Sequence, residues 1–215
     1  MITRREFVAG TSALAIVAAL QPSFAPAAFA QTVKVSEVEL LEAGPIEEMS
    51  LGKTDAPVTV IEYASMTCGH CATFHNTTYP EFKKRYVDTG KARYILREFP
   101  LDPLAAGAFM LARCAGKDKY FPLVETLFQQ QRTWAVQKPI EPLFGIARQA
   151  GFTQQSFDAC LRDQKVLDGI EKVRSRASER FKVESTPTFF INGTMYRGVL
   201  SIEDMAKAID PLLKS

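Results

Sequence analysis

Several features that would mark a nucleic-acid or membrane-embedded protein are missing from this sequence. Its 26 Lys and Arg stand against 24 Asp and Glu, a formal charge of +2, and the two signs are interspersed. No basic block, no interleaving of basic and aromatic residues and no long run of one sign occurs, so nothing argues for nucleic acid. No segment after residue 30 approaches the roughly 18 apolar residues that a membrane span needs. Repeats and low-complexity stretches are absent too, since Gln129-Gln130-Gln131 is too short to count. Four Cys, two His and one Trp make up the rare residues. Only one CxxC occurs, Cys68-Gly69-His70-Cys71, with no second CxxC or HxxxH to complete the four or so ligands of a structural zinc site. What is present is 47% apolar residues, with 15 Phe. That supports one sizeable core, or a domain with a large insert.

The first thirty residues read as an export signal and not as part of the fold. MITRREFVAG is short and basic, TSALAIVAAL is apolar, and Ala28-Phe29-Ala30 is a small-x-small cleavage site, placing the cut before Gln31. Arg4 and Arg5 suggest the twin-arginine route, with an ordinary secretory signal as the alternative. Export to the periplasm would put Cys68, Cys71, Cys114 and Cys160 in an oxidising compartment, where an even count favours disulfides.

Residues 32–53 are mixed, with Gly44-Pro45 as a breaker. VTVIEY after Pro57 reads as a strand, and 69–88 as a helix that Pro80 should kink or break near Thr78. ARYILREF, residues 92–99, reads as a second strand, with Tyr94 and Leu96 on one side. Two strands joined by a crossover helix should run parallel. Residues 101–181 carry helical periodicity only, at 105–114, 120–131, 143–150, 155–161 and 166–181, with breaks at Gly116, 138–142 and Gly151. Asn192-Gly193 between TFFI and TMYR is a strong hairpin signal, and Ser201 should cap a last helix reaching about Leu213. The order is βαβ, helical insert, ββα. Trp134 is expected in the core and His75 on the solvent face of its helix.

The CxxC at a helix start is where the chemistry concentrates. Unpaired amides and the helix dipole favour a thiolate on Cys68, and His70 could add positive charge beside it. Cys71, one turn in, should be more buried and protonated. Stabilising the thiolate favours the reduced form and makes the disulfide a stronger oxidant.

Glu62 six residues before CGHC, a helical insert after the second strand, and Thr186-Pro187 before the hairpin together resemble a DsbA-like member of the thioredoxin superfamily. DAPVTVIEY, REFPLDP and STPTFFING are similar to stretches of that family. The resemblance implies an α/β thioredoxin fold, a central mixed sheet flanked by helices, with an inserted all-helical domain. Residues 31–100 and 182–215 would form the thioredoxin-like domain and 101–181 the insert. Position by position, Cys68 would be the nucleophile, Cys71 the resolving cysteine, and Glu62 a buried acid relaying protons. Pro187 would be a cis-proline beside the disulfide, with Thr186 and Met66 on the substrate side. Met66, Phe99 and Leu101 could border an apolar groove, or simply pack in the core.

The resemblance also implies a branch with an extra cysteine pair, Cys114 and Cys160, as a stapling disulfide, with a second redox pair as the alternative. No metal or cofactor is expected. Partners would be reduced exported proteins and a membrane DsbB-like quinone reductase, with no nucleic acid. The roughly 25 residues between signal and first strand suggest a monomer. Gly69 and Thr186 match disulfide isomerases and not DsbA itself, so an isomerase or reductase stays open beside an oxidase. A metal chaperone using Cys68, Cys71 and His75 is a rival of another class.

Overall fold

Strands form where β-branched and aromatic residues cluster and helices where the period is helical, with two short exceptions near the N-terminal end. The computed structural model describes residues 34–214. The expected export signal, Arg4 and Arg5 included, lies outside the described residues. The exceptions are α1 (Glu37–Leu41) and β1 (Met49–Leu51), in a segment whose composition carried no periodic signal. Tertiary partners hold them. Arg97 donates to the Leu40 carbonyl and to Glu48, and Arg176 reaches the carbonyl of Glu39 and the carboxylate of Glu42.

β2 (Val58–Ala64) is buried at six of its seven residues, as expected of a strand covered on both faces. From it the chain enters α2 (Gly69–Thr77), then α3 (Tyr79–Phe82) and a π-turn at Lys83–Val87. The break expected at Pro80 falls at Thr78, between α2 and α3. Pro80 sits in the first turn of α3, where a missing N–H leaves nothing unsatisfied. β3 (Ala92–Glu98) then pairs with β2 in parallel, from Val58 opposite Ala92 to Ala64 opposite Glu98.

Six helices follow before the next strand: α4 (Pro103–Cys114), α5 (Lys117–Gln129), α6 (Gln131–Trp134), α7 (Ile140–Gln149), α8 (Gln154–Leu161) and α9 (Gln164–Phe181). α7 begins inside the expected break, at Ile140, because Pro142 occupies its first turn, where N–H groups have no intrahelical partner. Trp134 is fully buried, its indole N–H donated to the Leu127 carbonyl at 2.7 Å.

β4 (Thr188–Ile191) and β5 (Thr194–Arg197) form the expected hairpin. Asn192 and Gly193 take φ of 40° and 80°, the left-handed pair a two-residue turn requires. Gly193 is needed for a second reason, since a Cβ there would meet the Val35 carbonyl at 2.3 Å. The Asn192 side chain accepts from the Thr59 amide and so pins the turn to β2. α10 (Ile202–Ile209) starts at Ser201, whose hydroxyl accepts from the Asp204 amide, and a 3-10 turn carries the chain to Leu213. The sheet order is β1-β3-β2-β4-β5, with β2 and β3 parallel and the other neighbours antiparallel. The result is a mixed five-stranded sheet with helices on both sides, the thioredoxin fold. No helix among the described residues is long and apolar enough to cross a membrane.

Two ties join the α4–α9 segment to itself and to the sheet. Cys114 at the end of α4 is disulfide-bonded to Cys160 on α8. Glu98, fully buried at the end of β3, receives two hydrogen bonds from Arg113, at 2.7 and 2.9 Å, and one from the Tyr120 hydroxyl.

Replacing both Cys114 and Cys160 by Ala frees a loop spanning 46 positions. This should cost about 4 kcal/mol of stability in the chain-entropy picture. Arg113→Ala leaves the buried Glu98 carboxylate without its cation and should cost about 3–5 kcal/mol. Denaturant titration checks both; an Arg113→Ala loss below about 1 kcal/mol would show that Tyr120 alone satisfies Glu98.

Candidate active site

β2 runs its carboxyl end toward the start of α2, and that junction carries both free cysteines, Cys68 half-buried and Cys71 buried. Cys68 is the N-cap of α2 with an extended backbone (φ −77°, ψ 118°), so its sulfur lies at the open, electropositive end of the helix. The Cys68 thiol donates to the Thr186 carbonyl at 3.3 Å, and the Thr186-Pro187 bond is cis. The Cys68 pKa is lowered to about 5. A hydrogen bond from the Cys71 thiol does most of this, against the opposing effect of burial. Thr186, whose hydroxyl has no partner while Cys68 is protonated, adds a second donor, and the backbone amides of Cys71 and His70 complete the set. Cys71 moves the other way. Burial, its hydrogen bond to Cys68 and the nearby Glu62 charge push its pKa well above the ordinary thiol value.

His70 is exposed, and its main-chain N–H is among the groups that lower the Cys68 pKa. Glu62 is fully buried on β2, accepts from the Tyr94 hydroxyl at 2.6 Å, and leaves its Oε1 without a partner. Pro187 and Thr186 are buried beside Cys68. Met66 is fully buried, so the side chain expected on the substrate side packs in the core instead. Of its suggested groove companions Phe99 is buried as well, while Leu101 is 50% exposed.

The solvent-facing position expected for His75 is incorrect: the residue is buried. Helix α5 lies over the face of α2 that a lone helix would show to water, and Phe128 stacks on the His75 ring at 4.1 Å and 19°. His75 Nε2 lies 3.3 Å from Glu62 Oε2. Among the described residues no group of three or more His, Cys, Asp or Glu is placed to hold a metal ion, which leaves the metal-chaperone reading without a ligand set.

Sequence reasoning also missed Gln131. Its amide nitrogen donates to the carbonyls of Met66 and Cys68 at 2.8 and 3.0 Å, clamping the turn before α2 from the start of α6. A glutamine in a run of three carries no signal for that role. Thr67, donating to Asp102 at 2.6 Å, ties the same turn to the cap of α4. Tyr94 could have been found, because parallel pairing of the two strands puts it near Glu62 on one face.

A paired-thiol site at a helix start, facing a cis-proline loop on a mixed five-stranded sheet, defines a thioredoxin-fold protein. The family model described as thioredoxin matches residues 45–211. The crystal structure of Wolbachia pipientis alpha-DsbA1 is similar at a TM-score of 0.76 and 33% identity, over 82% of this chain and 95% of that one. Oxidised BdbD from Bacillus subtilis shares the fold at a TM-score of 0.67 and 21% identity, over 78% and 94%. A Rickettsia bellii protein, whose name provisionally assigns it protein-disulfide oxidoreductase activity, is 36% identical over 78% of this chain and 65% of its own length. The chain therefore belongs to the thioredoxin superfamily, in its DsbA-like branch. It spans about three-fifths of the length of the curated Rickettsia relatives it matches, 65% of one and 60% of another.

Alkylation of the reduced protein should follow the Cys68 thiolate, rising through a midpoint of about 5 and levelling above it. Cys71 should stay unreactive while the protein is folded. Because the folded pKa lies below the unfolded thiol value of about 8.5, the ionised Cys68 stabilises the reduced fold fully above that value. The stabilisation is lost as pH falls through about 5. An alkylation midpoint near the ordinary thiol value would overturn the assignment.

Proposed function

We propose that this protein is a periplasmic thiol–disulfide oxidoreductase that introduces disulfides into exported proteins through the Cys68–Cys71 pair. The observation that carries the reading is the opposed placement of the two sulfurs: Cys68 is half-buried at the N-cap of α2 against the cis Thr186-Pro187 bond, which goes with a pKa lowered to about 5, while Cys71 is buried, which raises its own. A substrate thiolate attacks Cys68, the accessible sulfur of the oxidised pair, and a mixed disulfide forms. A second substrate thiolate then takes the bond, and Cys68 departs as a stable thiolate. The more stable that thiolate, the more the reduced form is favoured and the stronger the oxidant. Cys71 is the resolving cysteine, Glu62 its proton relay, and the backbone before Pro187 the edge along which an extended substrate pairs. The export signal expected over residues 1–30 supports the compartment. Re-oxidation falls to a membrane DsbB-like quinone reductase, and the protein acts as a monomer, with residues 101–181 as the helical insert.

Gly69 and Thr186 favour a second reading, an isomerase or reductase kept reduced by a membrane thiol donor. The equilibrium potential of the pair against glutathione decides the direction. A value well above thioredoxin's is expected, and one near it would favour the reductase. Cys71→Ser, its Cys68 first joined to glutathione by oxidised glutathione, should exchange that glutathione for reduced substrates and accumulate mixed disulfides with them, and Cys68→Ser should accumulate none. If Cys68→Ser leaves thiol oxidation unchanged, the redox reading fails.

A further inference from the structure

In the exchange proposed above, attack on Cys68 breaks the Cys68–Cys71 bond and its electron pair leaves on the Cys71 sulfur. That sulfur is buried, so the proton it takes must come from a group buried with it. Glu62 lies close enough for its charge to be felt at Cys71, but a lone carboxylate there would hold an uncompensated charge inside the core. His75 is placed to compensate it. Its Nε2 is 3.3 Å from Glu62 Oε2, its side chain is 2% exposed, and neither ring nitrogen completes a hydrogen bond with any other described residue. It also stands in the last turn of α2, whose negative end favours an imidazolium.

We propose that Glu62 and His75 share a single proton as a buried pair, with His75 the positioning residue that lets Glu62 hand that proton to Cys71 and take it back. In the oxidised protein the pair is a carboxylate and an imidazolium, neutral together. When Cys71 leaves as a thiolate, its S–H bond forms with the shared proton and the negative charge passes to the pair. Solvent later restores the proton. When Cys71 attacks a mixed disulfide the transfer runs backward.

The other titratable groups around the pair do not compete for this proton. Besides Cys71 on α2, they are Tyr79 on α3, Tyr94 on β3, and Tyr120 and Glu125 on α5. Burial pushes all three tyrosines upward, so they stay protonated. Glu125 is engaged by the Tyr79 hydroxyl at 3.2 Å. From β4 the fully buried Phe189 pairs opposite Glu62, and from α5 Phe128 covers the His75 ring, which keeps bulk water away.

This inference rests on the oxidoreductase reading. Its test follows the reduction of the 68–71 disulfide by dithiothreitol across the acidic-to-neutral range, in the full chain. The variants are His75→Gln, Glu62→Gln and the double variant. Each single variant should slow the step by roughly a hundredfold or more and remove the same inflection from the pH profile. The double variant should be no slower than the slower single one, because the two residues act as a unit. A His75→Gln protein that keeps the wild-type inflection, or losses that multiply in the double variant, would overturn the shared proton. Should His75→Gln not fold, nuclear magnetic resonance of the unmodified protein decides. The His75 ring and the Glu62 carboxyl should titrate together and shift on reduction, and a ring that stays neutral throughout overturns the proposal. A wild-type pair that exchanges with no thiol at all would sink the oxidoreductase reading with it, whereas the outcomes above sink the shared proton alone.

Discussion

Everything at this site depends on holding one sulfur as an anion at the mouth of a helix while its partner, one turn in, stays protonated. The asymmetry comes from position along α2. Cys68 caps the helix, where the amides of His70 and Cys71 have no intrahelical acceptor and favour a negative charge on the sulfur. Cys71 is inside the first turn, facing the core and a buried carboxylate. The same helix thus offers an electropositive end to one thiol and a low-dielectric wall to the other, and each thiol reinforces the difference through the bond between them.

Such a helix start has to be held still, and the fold does this from three directions. β2 ends at Ala64, and the Ser65 hydroxyl accepts from the Leu101 amide. Gln131 holds the carbonyls on either side of Thr67, and Thr67 itself donates to Asp102. The Thr186 carbonyl faces the Cys68 sulfur from the loop before β4. Two of these ties begin in the α4–α9 segment, so those helices shape the site as well as cover the sheet. Arg113 and Glu98 anchor that segment back onto β3.

Much of the architecture was legible because its signals are local. The apolar runs of β2 and β3, the Asn-Gly turn, the Ser201 cap and the periodic helices each depend on residues within a few positions of one another. α1 and β1 were not legible, since five and three residues are too few to show a period; α1 is held by arginines far along the chain and β1 by its ladder to β3. Around the cysteines the same division holds. Cys68, Cys71 and Glu62 could be named from spacing and resemblance, whereas Gln131 and His75 matter only because α5 and α6 are laid against α2. Met66 failed for the converse reason: adjacency to the CxxC in sequence says nothing about which way a side chain turns, and this one turns inward.

The pair of cysteines, the helix start that polarises them, and the βαβ and ββα halves of the sheet could all be read locally, because hydrophobic period, capping and turn chemistry act over a single turn or strand. The tertiary structure alone decided which groups are deprived of water. It buried Glu62 and His75 together, aimed the Thr186 carbonyl at Cys68, and closed the Cys114–Cys160 bond. Desolvation is a property of everything packed around a group, and no window of sequence contains all of its neighbours.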